Sequence, residues 1–137
     1  MKTNKTLLIT LTAVSLAFIL SITVLYSRSN IVYYKEFQMY LNVGDYVGIN
    51  VDNSALFFGT TSKGGSSSRN VTLGNNFDMP LKIDIKAYGS LSKWTYVSDN
   101  GFWMPPNSSS NVTISIHVTE DVEKGAYTGN LKIEFRK

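Results

Sequence analysis

Few side chains in this 137-residue chain are equipped for chemistry, and their spacing does not combine them. His117 is the only histidine and cysteine is absent, so a zinc site or a nucleophile–histidine pair lacks its partners. Strand parity puts His117 with Asn111, Thr113 and Ser115 on a solvent face. Lys63-Gly64-Gly65-Ser66 holds the residues of a phosphate loop in the wrong order, with a strand rather than a helix after it. Glu120, Asp121 and Glu123 offer three carboxylates in one turn, the donor type calcium takes, but a solvated turn has the same composition. Asp45 and Asp52 matter there only if the fold brings them near. Glycoside cleavage needs two carboxyls facing across a cleft, which no spacing here dictates. The expectation is a chain with no catalytic residue, no metal and no cofactor.

The aromatic residues are the better candidates for binding. Tyr88, Trp94, Tyr96, Phe102 and Trp103 cluster in one stretch of sequence. If Val97 points inward, Trp94 and Tyr96 point out, and an exposed strip of this kind stacks on sugar rings or anchors a protein partner. The opposite parity buries both rings in a core. On the exposed reading the candidate patch is Tyr88, Trp94, Tyr96 and Trp103.

Such residues need elements to position them, and the first element is an anchor. Leu7 to Tyr26 reads LLITLTAVSLAFILSITVLY, with no charge from Thr6 to Ser27. Twenty residues make a helix of about 30 Å, the thickness of a bilayer's hydrocarbon core. Tyr26, Tyr33 and Tyr34 fall where an interfacial aromatic belt would lie. A cleaved signal peptide is the competing reading, but its apolar region is usually shorter and ends in a small-x-small site. Ser21-Ile22-Thr23 and Ser27-Arg28-Ser29 are poor matches to one. Ala13, Ala17 and Ser21 recur every four residues, a small-residue stripe along which two membrane helices can pack closely.

Lys2, Lys5 and Arg28 flank this segment and supply the whole formal charge of +3. From Ile31 onward ten basic and ten acidic residues balance, and the basic ones are scattered. A nucleic-acid surface needs a basic stripe, so that partner is excluded. Charge on the two sides of the helix nearly ties. A short N-terminal tail with its α-amino charge, and a domain rich in Ser, Thr, Asn, Gly and Tyr, favour the domain outside the cell membrane. The domain holds three Asn-x-Ser/Thr triplets, at Asn70, Asn107 and Asn111, which read as surface glycosylation acceptors where the machinery exists.

Beyond residue 36 the apolar period is two. Phe37, Met39, Leu41 and Val43 alternate with polar neighbours; Val47, Ile49 and Val51 resume the pattern after Gly44-Asp45. Leu56 to Phe58, then Val71 and Leu73, form short strands around a loop at 60–68. Leu81, Ile83, Ile85 and Ala87 face one way after Pro80, and Trp94 to Val97 form a strand closed by Asp99-Asn100-Gly101. Val112, Ile114, Ile116 and Val118 share a face, as do Tyr127, Gly129, Leu131, Ile133 and Phe135. Seven or eight short strands without a helical stretch predict a two-sheet sandwich. The domains are a tail and transmembrane anchor over 1–28, a juxtamembrane linker over 29–36, and the sandwich over 37–137.

Leu56-Phe57-Phe58-Gly59 through Ser66-Ser67-Ser68-Arg69-Asn70-Val71-Thr72-Leu73, and Glu120-Asp121-Val122-Glu123-Lys124-Gly125-Ala126-Tyr127-Thr128-Gly129, resemble immunoglobulin-like modules of archaeal and bacterial cell-surface proteins. The likeness covers about residues 47–137 and implies an immunoglobulin-like sandwich; such modules serve as spacers, adhesion units and accessory domains. The family often has a proline in the turn where this chain has Thr119-Glu120. Independently, Tyr127 sits at a strand entry, as in a tyrosine corner, where the hydroxyl bonds the preceding loop's backbone. The expected function is a non-catalytic, single-pass envelope module, interacting or structural, with an envelope protein or glycan as partner. The alternatives are a pilin-like filament subunit and a carbohydrate-binding accessory domain.

Overall fold

The apolar N-terminal run forms a helix, α1 (Lys2–Ser29), in a computed structural model that describes residues 2–45 and 55–137. Within it the span Asn4–Tyr26 is long and apolar enough to cross a membrane, and none of it is buried. Its hydroxyls are compatible with that setting because they bond back to the helix. Thr12 Oγ1 donates to the Leu8 carbonyl at 3.0 Å, Ser21 Oγ to Ala17 at 2.6 Å and Thr23 Oγ1 to Ile19 at 2.7 Å. Residues 1–32 and 33–137 are separate compact units.

The second unit is a β-sandwich. Its eight described strands are β1 (Ile31–Val43, beginning in the first unit), β2 (Leu56–Thr61), β3 (Ser66–Asn75), β4 (Leu81–Gly89), β5 (Thr95–Val97), β6 (Phe102–Met104), β7 (Ser108–His117) and β8 (Gly125–Arg136). One sheet has the order β2-β1-β8-β4-β6 and the other β3-β7-β5. Two long antiparallel ladders carry them: β4 on β8 from Lys82↔Arg136 to Gly89↔Gly129, and β3 on β7 from Ser66↔His117 to Asn75↔Ser108. The period-two pattern becomes the core. Leu81, Ile83, Leu131 and Ile133 of one sheet and Ile114 and Ile116 of the other are fully buried. Each such side chain contributes about 1.5–3 kcal/mol over leaving it in water.

Three expectations shift. The linker expected over 29–36 is strand from Ile31 onward, where Val32, Tyr33 and Tyr34 are residue types that favour extended backbone. β2 continues past Gly59, which takes a φ of 77° where two residues of β2 oppose one of its parallel partner β1. Trp94 closes a 3-10 turn (Ser92–Trp94) rather than opening a strand. The alternation at Val47, Ile49 and Val51 lies outside the described residues.

Polar side chains finish what the ladders leave open. Asn100 extends the β6 side of β4: its Oδ1 accepts from the Ile85 N–H at 2.7 Å and its Nδ2 donates to the Ile85 carbonyl at 2.8 Å, as a strand residue would. Asn75 is fully buried at the end of β3. Its Nδ2 donates to the carbonyls of Met79 (2.9 Å), Met104 (3.2 Å) and Pro105 (2.9 Å), and its Oδ1 accepts from the Phe77 N–H at 3.1 Å. One side chain thus joins the edge of one sheet to β6 of the other. Asn75→Ala takes the donor from the buried Met104 carbonyl and from the partly buried Met79 and Pro105 carbonyls, and we expect a loss of about 2–4 kcal/mol. Urea unfolding checks it; an unchanged midpoint would show that water replaces the amide.

Candidate functional site

The aromatic candidates separate. Trp94 is buried at 8% exposure, its ring edge-on to Tyr127 at 5.0 Å, with the Lys93 ammonium over its face. Tyr96 is exposed on the outer face of the three-stranded sheet, paired with Ser115. Tyr88 and Trp103 are exposed on the outer face of the other sheet. Trp103 lies across from Lys82 and Tyr88 six residues further along β4, about 20 Å away. The four residues therefore do not form one patch. Sequence parity failed at Trp94 because the turn rotates it off the strand that follows.

Tyr127 makes the tyrosine-corner bond, its hydroxyl donating to the Glu123 carbonyl at 2.8 Å. In the acidic turn, hydrogen bonds from the Thr119 side chain and from its own backbone hold Asp121 below the usual carboxylate range. Asp45 reaches this turn through an exposed ion pair with Lys124 at 2.6 Å. Asp52 lies outside the described residues, and among the described residues no three acidic, His or Cys side chains are placed to hold a metal. His117 is exposed.

Asn70, Asn107 and Asn111 all stand on the three-stranded sheet, Asn107 in the turn entering β7 with a φ of 52°. Asn70-Val71-Thr72 and Asn111-Val112-Thr113 are register partners. Thr113 Oγ1 donates to Asn70 Oδ1 at 2.9 Å, and Thr72 Oγ1 to Asn111 Oδ1 at 2.7 Å. The reciprocal bonding leaves both amide nitrogens outward and gives the two triplets a pairing role of their own.

The outer face of the five-stranded sheet carries the charge. Lys82 faces Arg136, Asp84 faces Glu134 and Lys86 faces Lys132 across the ladder, like against like. Such pairs repel, and one diagonal contact with two along β8 offsets them. Arg136 meets Asp84 at 3.2 Å, Lys132 meets Glu134 at 2.9 Å, and Arg136 also bonds Glu134. Glu134 is only 5% exposed. Burial raises its pKa, but hydrogen bonds from Lys132 and Arg136 and their charges outweigh that and hold it below the ordinary value.

Two of the depressions lined by the described residues lie on the sandwich. One, of about 420 Å³, lies between Tyr33 and Lys35 of β1 and Thr72 to Gly74 of β3, with Phe77 and Phe135 in its wall. The other, of about 440 Å³, crosses the five-stranded sheet from Gln38 and Tyr40 of β1 over Thr128 to Asn130 of β8 to Gly89 and Ser90. Sequence reasoning missed the second because Gln38, Thr128 and Asn130 read simply as polar members of alternating strands.

No protein-family model matches the sequence, and no curated protein does. Among solved structures, the DraE adhesin in complex with chloramphenicol succinate is similar over 77% of this chain and 96% of its own, at 11% identity and a TM-score of 0.46. The DaaE adhesin matches 77% of this chain and 97% of its own at 16% identity and 0.36. A Burkholderia pseudomallei antigen and type I fimbria protein matches the same shares at 15% and 0.27. With scores below 0.5, these likenesses carry no argument about what this chain binds.

Glu134 sets a pH dependence. A carboxyl with a lowered folded pKa stabilises fully above its unfolded value and loses that contribution as pH falls through the folded value. Thermal stability should therefore decline below about pH 4.5, the ordinary glutamate value. Glu134→Gln should be less stable at neutral pH and flatter through that interval. Parallel melting curves for the two proteins would remove Glu134 as the cause.

Proposed function

We propose that this chain is a non-catalytic module of the cell envelope, held on the membrane by α1 and presenting its sandwich outside the cell. One observation carries the reading: a 23-residue apolar span with none of its surface buried. In water that surface would drive aggregation; in lipid it is satisfied. The tyrosine-corner bond of Tyr127 supports the immunoglobulin-like form of the sandwich. Ala13, Ala17 and Ser21 are the stripe along which two helices would pack, and Asn70, Asn107 and Asn111 are the glycosylation acceptors.

The membrane fraction of the native cell tests this in one preparation. The chain should resist alkaline carbonate extraction, with an intact mass that retains α1 plus any glycan. Crosslinked dimers in mild detergent should disperse in Ala17→Ile. Recovery of the protein in the aqueous fraction, or a mass lacking α1, would overturn the anchor; an unchanged oligomer in Ala17→Ile would overturn only the helix pairing.

A second reading, a filament subunit, is favoured by the seam between the sheets. Among the described residues β2 pairs with β1 only from Met39 onward, and β3 is an edge strand. The edge of β1 over 33–38 therefore borders the 420 Å³ depression without a partner strand on that side. An open edge beside a depression walled in part by Phe77 and Phe135 accepts an added strand. Detergent-resistant filaments in sheared surface fractions would establish this reading, and their absence leaves the single module.

A further inference from the structure

We propose that the 440 Å³ depression on the outer face of the five-stranded sheet is a binding site for a neutral sugar. This names a ligand class for the module proposed above and rests on that reading only for where the sugar is met. The floor is built from glycine. A Cβ on Gly129 would lie 2.7 Å from the Tyr88 carbonyl and 3.1 Å from Leu91 and Met39 side-chain atoms, so the position excludes any larger residue. Gly89 beside it takes a φ of 82° and would place a Cβ 3.0 Å from Gly129 Cα. The missing Cβ of Gly129 faces inward, where it leaves room for Met39 and Leu91 in the core, so the floor of the depression is backbone and its walls are the side chains of Gln38, Tyr40, Thr128 and Asn130.

Those walls are polar and uncharged. Among the described residues, no Asp, Glu, Lys or Arg lines the depression. The charged lattice begins one step along the same face of β8, at Lys132, whose ammonium is paired with Glu134. Tyr40 donates its hydroxyl to Gln38 Oε1, which fixes that amide and turns its NH₂ outward. The Tyr40 ring is itself stacked on Phe57, with centroids 4.9 Å apart and planes 13° from parallel. Ser90 Oγ donates to the Thr128 carbonyl at 2.6 Å and holds the rim. Among the described residues, the Asn130 amide and the Thr128 hydroxyl have no protein partner. Tyr88 stands directly across the ladder from Asn130 with 48% of its surface exposed.

This set matches one chemistry. Side-chain amides offer a donor and an acceptor side by side, which suits adjacent sugar hydroxyls. A half-exposed tyrosine at the rim offers a ring face to the sugar's C–H face. The absence of cations leaves nothing to favour phosphates or uronic acids, and the polar lining disfavours lipid. The volume falls in the range of small-ligand sites.

The test uses the full chain in a zwitterionic detergent without sugar headgroups, titrated with the neutral sugars D-glucose, D-galactose, D-mannose and N-acetyl-D-glucosamine and, as a charged comparison, D-glucuronate. Amide NMR shifts at Gly89, Gly129 and Asn130 should move saturably with at least one sugar, with millimolar dissociation constants. Asn130→Ala, or Gln38→Ala if that variant fails to fold, should weaken binding about three- to tenfold. No saturable shift with any of the four, shifts confined to other residues, or tighter binding of glucuronate than glucose would overturn the proposal. Sugar binding by a protein found in the aqueous fraction would sink the anchor and keep the site; a carbonate-resistant protein blind to all four sugars would do the reverse.

Discussion

The sandwich is held by burial across two antiparallel ladders with no covalent help. The chain has no cysteine, so packing and a few side-chain hydrogen bonds, such as those of Asn75, are what restrain the facing sheets. Register is therefore strict: slipping β4 on β8 by one residue would exchange Ile83 and Ile85 for Lys82 and Asp84 at the core. The same strictness generates the like-charge pairs on the outer face. Ladder partners share parity, so the register that aligns the isoleucines also sets Lys86 against Lys132 and Asp84 against Glu134. An ion pair along β8 and a diagonal one to β4 answer this repulsion without altering the ladder.

Where backbone pairing stops, side-chain amides continue it. Asn100 substitutes for a strand residue opposite Ile85, and Asn75 gathers carbonyls from a loop and from β6. Ser67 and Arg69 do likewise for β2, donating to the carbonyls of Phe58 at 2.6 Å and Phe57 at 2.7 Å. A buried or edge carbonyl left without a donor would cost about 1–3 kcal/mol. Asparagine suits these positions because it supplies a donor and an acceptor from one short, uncharged side chain.

The parts of this fold legible in sequence are those with local cause. Alternation in β4, β7 and β8 follows from one buried face, and the Tyr127 corner from a spacing within one turn. The parts that were not legible depend on distant partners. Asn75 looks like half of a Gly-Asn-Asn turn until the Met104 and Pro105 carbonyls arrive from thirty residues away. Glu134 has a polar strand position yet is buried, since Lys132 and Arg136 fold over it. Trp94 was ambiguous because parity extrapolates from Val97 only through regular strand, and the turn at Ser92–Trp94 breaks that regularity. The depression over Gly89 and Gly129 needed the β4–β8 register before two glycines forty residues apart could become a floor.

On the proposed reading, the anchor and the sugar site belong to one physical strategy. An uncharged site of amides and hydroxyls exchanges water bonds for sugar bonds of similar strength, so a single contact is weak. Free in solution, such a module would spend most of its time unbound. Fixed on a membrane, it meets ligands held in the same layer at an effective concentration set by geometry, and weak contacts on neighbouring copies reinforce one another. A tighter, charged site would gain little in that setting and would respond to every change in ionic strength. Tethering makes weak, neutral recognition sufficient, and the ligand this favours is one fixed in the envelope and repeated many times along it.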